Sequence, residues 1–195
     1  MTTPPLELDT SRTALVLVDL QNFTVALPTK PHSGQEVLER ATALAEACRK
    51  AGILVVLVRV ESGPAQALAL KPRLDTPSQA WNLPEGAHDF PAALAAGKED
   101  VVITKYSWGA FHGTDLDVQL RRRGVTTLLV GGLVTGIGVD TTVRQAYERG
   151  YDQVLLTDVC GGFTEAEHDY CLTTIFPRVA RLRTAGAVLK ELESA

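Results

Sequence analysis

Short runs of β-branched and aliphatic residues alternate along the chain with stretches in which apolar positions recur every three or four residues. The runs TALVLVD (13–19), ILVVLVRV (53–60), DVVITK (100–105), TTLLVGG (126–132) and QVLLTD (153–158) are nearly continuous in apolar character. A strand with one solvated face alternates in polarity. Unbroken runs therefore predict strands covered on both faces, as in a parallel sheet. Between them, SGQEVLERATALAEACRKAG (33–52), GTDLDVQLRRRG (113–124) and DTTVRQAYERG (140–150) carry apolar residues at helical spacing and end in glycine, the common helix C-cap. A further helix is predicted over TEAEHDYCLTTIFP (164–177), where Thr164 and Glu167 have the spacing of a capping box. ARLRT (180–184) predicts a last, more exposed strand, followed by a helix over 184–193.

Six strands alternating with helices predict an α/β fold: a doubly wound (Rossmann-like), mostly parallel six-stranded sheet with helices on both faces. A chain of 195 residues is long enough for one sizeable core, so a single domain over 1–195 is expected. The segment 61–99, rich in Pro, Gly and Ala and carrying Trp81, lacks clear periodicity. A stretch of that length inside a compact domain usually forms a pocket wall or lid.

Charge and cysteine content narrow the partners. A formal charge of -4 and the isolated basic run Arg121-Arg122-Arg123 argue against a phosphate-binding surface, so no nucleic-acid partner is expected. No apolar run approaches the length of a membrane span, and the N-terminus MTTPPLELDTSR has no signal-peptide pattern. Three cysteines (Cys48, Cys160, Cys171) cannot all pair, which suits a reducing cytoplasm.

In open α/β sheets, ligands bind beyond the carboxyl ends of the strands. That rule selects Asp19 after the first strand, Lys105 after the third, and the turn GGLVTGIG (131–138) after the fourth. Asp19 alone reads equally well as a turn former, and Lys105 alone as a solvated strand end. Together, with Phe23, Trp108 and Phe111 following them, they predict a small charged site in an apolar cup. A neighbouring ammonium favours the ionised carboxylate and is expected to lower the Asp19 pKa, which suits a base or an orienting dyad. Free amides at the start of the helix after 138 would favour developing negative charge. The dinucleotide fingerprint is absent, and no cofactor is expected. The four histidines (His32, His88, His112, His168) have no metal-type spacing, so no metal is expected, and His112 reads as the one nearest the site.

Taken together, TALVLVDLQN, KYSWGAF and GGLVTGIGVDTTVRQAYERGYD resemble the isochorismatase-like hydrolase family over residues 11–190. In most of that family an Asp, a Lys and a Cys form a catalytic triad. The resemblance maps the Asp onto Asp19 and the Lys onto Lys105, while the Cys position falls on Gly138. It further implies an oxyanion hole from the amides of residues 134 and 138, a cis peptide preceding Thr135, and a small-molecule substrate lying against Phe23, Trp108, Val134, Thr135 and Gly138. Glycine offers no thiolate, so covalent acyl-enzyme chemistry at 138 is ruled out. True isochorismatases, which hydrolyse a vinyl ether, are similar in having glycine there. By that resemblance Asp19 would deliver a proton to carbon, Lys105 would sit beside it, and Gly138 would make room for substrate. The alternatives are a catalytically inactive member that binds a ligand or partner, and a hydrolase using Cys160 as nucleophile. The resemblance also implies a homodimer or homotetramer.

Overall fold

The computed structural model describes residues 4–61, 72–75 and 83–193. Six strands, β1 (Thr13–Val18), β2 (Leu54–Val60), β3 (Val101–Lys105), β4 (Thr127–Leu133), β5 (Asp152–Gly161) and β6 (Arg181–Arg183), form one sheet in the order β3-β2-β1-β4-β5-β6. Every pairing is parallel. The helices are α1 (Asn22–Val25), α2 (Gly34–Lys50), α3 (Leu116–Arg122), α4 (Asp140–Glu148), α5 (Glu165–Tyr170) and α6 (Ala185–Glu193).

The unbroken apolar runs are explained by two cores, one on each side of the sheet. All six residues of β1 are buried. Leu15 and Leu17 join Leu44 of α2 and Val188 of α6 on one face, while Ala14, Val16 and Val18 join Leu120 of α3 and Val143 of α4 on the other. Because successive side chains point to opposite faces, a central strand must be apolar at both parities. Helix α2 is started by a reciprocal cap: Ser33 Oγ accepts from the Glu36 amide at 3.3 Å, and the Glu36 carboxylate accepts from the Ser33 amide at 2.8 Å.

Several boundaries differ from those the sequence predicts. Helix α1 has only four residues, too few for a periodic signal. The predicted helix over 164–177 divides into α5, a wider π-helical turn (Cys171–Ile175) and a tight turn over Phe176–Arg178. Pro177 supplies no amide to continue a regular helix. Strand β5 runs on to Gly161 because its register with β4 slips between Val130 and Gly132, after which Gly132 pairs with Cys160 and Leu133 with Gly161. Gly132 has φ +130, and a Cβ there would run into the Val18 carbonyl. Only glycine lets β4 approach the end of β1 this closely. Strand order reverses between β1 and β4, and both strands point their carboxyl ends to the same edge.

Candidate active site

Asp19 follows β1 directly and takes the left-handed conformation, φ +53, which is uncommon for a residue with a side chain. Its neighbours hold it there. The Asp19 amide donates to the Val58 carbonyl at 2.9 Å, and the Thr24 hydroxyl donates to the Asp19 carbonyl. Gln21, fully buried, pins the same turn to the end of β2: its Oε1 accepts from the Val60 amide at 2.9 Å, and its Nε2 donates to the carbonyls of Val60 (3.0 Å) and His88 (2.8 Å).

Lys105 ends β3 two strands away, yet its Nζ lies 2.7 Å from Asp19 Oδ2. The ammonium also donates to the Ser107 carbonyl at 3.0 Å. Both side chains are buried, with 2% of Lys105 and 8% of Asp19 exposed. An ammonium carries three donors, so one proton of Lys105 is left for a ligand. Asp19 Oδ1 is buried without a hydrogen-bond partner among the described residues. Thr42 Oγ1, Gln153 Oε1 and Glu191 Oε1 share that state away from the cavity, so the Asp19 oxygen draws its weight from belonging to a carboxylate that lines one.

The electrostatics correct one expectation. Lys105 was expected to lower the Asp19 pKa, but burial outweighs its attraction and pushes the carboxyl up to about 6. Withdrawing a carboxylate from water costs more than a single ammonium returns here. About a tenth of the groups therefore hold a proton at pH 7, and about half near pH 6, so the group can give a proton as well as take one.

The floor of the site is backbone. Thr135–Val139 form a wide π-helical turn leading into α4. A Cβ built on Gly138 would lie 3.0 Å from Asp19 Oδ2 and 3.2 Å from Val18 Cγ1. The peptide bond between Leu133 and Val134 is cis, one residue before the position the resemblance implies.

Asp19, Lys105 and Gly138 line one cavity of about 360 Å³, together with Phe23, Trp108 and Val134. Thr135 does not join them. It is fully buried, and its Oγ1 sits 2.9 Å from His168 Nδ1 of α5, so it braces the turn from behind. Phe111 also turns away, packing in the core with its ring 5.8 Å from that of Tyr151. His112 is exposed and is not among the cavity residues. Cys160 is buried in the core on the far side of β5, its thiol pushed up to about 12 by burial. A thiol in that state is a poor nucleophile, and it does not line the cavity.

Some wall residues were not foreseen. Glu61, Leu83 and His88 come from the segment 61–99, which was expected to supply a pocket wall though without these residues being singled out, and Ile137 and Phe163 come from turns after β4 and β5. His88 arrives through long-range backbone bonds, from Asn22 N to Asp89 O (2.9 Å) and from Phe23 N to Ala87 O (3.1 Å). Its ring meets Phe23 edge-on at 5.2 Å. Trp81 lies outside the described residues. A second hollow, about 540 Å³, opens at the opposite end of the sheet around Arg49, Asp100 and Arg123, away from these groups.

Residues 13–187 match the isochorismatase domain. The chain belongs to the isochorismatase family of hydrolases. Its isochorismatase relatives include YecD of Escherichia coli O157:H7, an isochorismatase family protein 43% identical over 96% of this chain and 100% of the relative. A ureidoacrylate amidohydrolase, RutB of Methylorubrum extorquens, is 31% identical over 79% of this chain and 71% of its own length. Among solved structures, an isochorismatase family protein from Burkholderia thailandensis superposes with a TM-score of 0.91 at 41% identity, covering 98% of this chain and all of the other. Among the described residues, no three His, Cys, Asp or Glu side chains gather to hold a metal. No helix there is long and apolar enough to cross a membrane.

Proposed function

We propose that this isochorismatase-family chain hydrolyses a small molecule at the Asp19–Lys105 cavity without forming a covalent bond to it, by a reaction of the vinyl-ether type. The observation that carries the reading is a buried carboxyl pushed up to about 6 beside bare backbone at Gly138, the position that the sequence resemblance aligns with the thiol of the family's amidases. A hydrolysis that needs no nucleophilic side chain must instead begin with proton transfer.

In that reaction Asp19 gives its proton to the terminal methylene carbon of the vinyl ether, the double-bond pair forming the new C–H bond. The resulting oxocarbenium ion is captured by water, and the hemiketal collapses to a ketone and an alcohol. The proton lost by the water restores the acid. Lys105 steadies the carboxylate that Asp19 becomes, and its third N–H is available to a substrate oxygen. The oxocarbenium ion is positively charged and is stabilised by the Asp19 carboxylate, so the amides of residues 134 and 138 are candidates for donating to the neutral hydroxyl oxygen of the hemiketal instead.

The test is turnover of a panel of small vinyl ethers, isochorismate included, with product identified by mass spectrometry in D₂O. One deuterium in the new methyl group and a loss of about 10³-fold in kcat for Asp19→Asn are expected. An unimpaired Asp19→Asn enzyme, or a covalent adduct on the protein, would overturn the reading. Tight retention of these compounds with no conversion would replace it with ligand binding alone.

A further inference from the structure

The cavity has a second charged wall that the proton transfer does not use. Glu61 follows β2, and its amide donates to the Lys105 carbonyl at 3.0 Å, which fixes its backbone beside the reacting pair. Its carboxylate is half-buried at the cavity wall. Lys105 is already matched to Asp19 at 2.7 Å and offers Glu61 no balancing charge. Among the described residues Glu61 has an ion pair with Arg59, whose Nη1 stands 3.9 Å from Oε1, beyond hydrogen-bond reach, while its Nε is committed to Thr104 Oγ1 at 3.0 Å. Arg59 does not line the cavity. With 34% of Arg59 and 26% of Glu61 exposed, water competes for both partners and the Glu61 carboxylate keeps hydrogen-bonding capacity for a further one.

Around this carboxylate the walls are aromatic. Phe23 comes from α1, Tyr106 and Trp108 from the segment after β3, and Phe163 from the segment after β5. Trp108 is 64% exposed and Phe163 40%, although both belong to the cavity. Aromatic faces attract cations through the ring quadrupole, most strongly for tryptophan, and a carboxylate beside them adds direct attraction. A carboxylate-bearing ligand would meet Glu61 as a like charge at this wall, while Lys105, the cation that lines the cavity among the described residues, is shared with Asp19 at the other wall.

We infer that the substrate carries a positively charged group, a protonated amine or quaternary ammonium, held between Glu61 and the aromatic rim while the reacting bond lies over Asp19. The inference rests on reading this cavity as the substrate site and narrows the substrate to cationic rather than dianionic compounds. Its test requires no turnover, so it can fail while the proton-transfer reading stands, and the reverse.

Isothermal titration calorimetry on the full chain would compare benzyltrimethylammonium, benzyl alcohol and phenylacetate. The cation is expected to bind at least about tenfold more tightly than phenylacetate, a preference that Glu61→Gln removes. Trp108→Leu, at an exposed position where folding is not at stake, is expected to weaken the cation about threefold to tenfold and leave benzyl alcohol less affected. Equal binding of cation and anion, failure of all three probes to bind, or a cation preference that survives in both variants would overturn the inference. Should Glu61→Gln not fold, the Trp108→Leu comparison decides alone.

Discussion

Two ion pairs of nearly equal length sit at opposite ends of the sheet. Arg49–Asp100, at 2.6 Å, lies by the amino ends of the strands, and Lys105–Asp19, at 2.7 Å, lies by the carboxyl ends. Asp100 is saturated: Arg49 Nε reaches both of its oxygens at 3.3 and 3.2 Å, and the Gly97 amide donates to Oδ2 at 2.7 Å. Among the described residues the Asp19 carboxylate accepts from Lys105 alone and keeps Oδ1 without a partner, and Asp19 sits at a left-handed φ. Separation between charges thus says little about purpose. The unused hydrogen-bonding capacity of the buried Asp19–Lys105 pair supports the proposal that this pair reacts, whereas Arg49–Asp100 has the bonds of a structural contact.

The sharpest way to break this comparison is to remove the cation of the buried pair. Lys105→Met leaves a carboxyl in an apolar site, and the group answers by holding its proton more firmly. A loss of about 100-fold or more in kcat is expected, because an acid that cannot shed its proton is a poor donor. Stability should fall by about 3 kcal/mol, and Asp19→Asn in the same chain should recover most of it, since replacing both charged partners is often close to neutral. Denaturant titration of the single and double variants measures this. A double variant no more stable than Lys105→Met would place the pair with Arg49–Asp100 as a structural contact.

A smaller effect follows from pH. The Asp19 carboxyl is raised from 3.8 to about 6 in the folded chain. The folded state therefore binds that proton more tightly than the unfolded state does. Its contribution is complete below about 3.8 and disappears as pH rises through about 6, a change on the order of 2–3 kcal/mol. Wild type minus Asp19→Asn stability, followed by chemical denaturation from pH 7 down to pH 4, should increase in that direction. A difference that is flat, or that shrinks as pH falls, would mean that Lys105 outweighs burial after all.

Much of the frame was legible in the chain. The apolar runs reported the first five strands because a strand covered on both faces must be apolar at both parities. Asp19, Lys105 and the turn at 131–138 were identifiable because each ends a strand, and topology brings those ends to one edge. What sequence could not reveal was which side chains turn inward once there. Thr135 and Phe111 have cavity residues as near neighbours in the chain yet pack behind the site, while His88 and Glu61 enter it through long-range backbone bonds that leave no periodic trace. The sign of the Asp19 shift was hidden for a similar reason. Proximity to a lysine can be guessed from topology, but the depth of burial that outweighs it appears only in three dimensions.

The comparison is sharpened last at its quieter end. Arg49→Gln removes the guanidinium from Asp100, a carboxylate that is 4% exposed, but leaves it the Gly97 amide and a partner side chain that was already 29% exposed to water. Water and the remaining amide can take up much of what Arg49 supplied, so the cost should be only about 1–2 kcal/mol. The Asp19 cavity lies at the other end of the sheet, and neither Arg49 nor Asp100 is among the described residues that line it. Vinyl-ether turnover, where it is found, should therefore be unchanged in Arg49→Gln at a temperature well below its melting point. A variant that loses activity in step with Lys105→Met while remaining folded would show that the two ends of the sheet are coupled, and that satisfied hydrogen bonds do not mark a pair as merely structural.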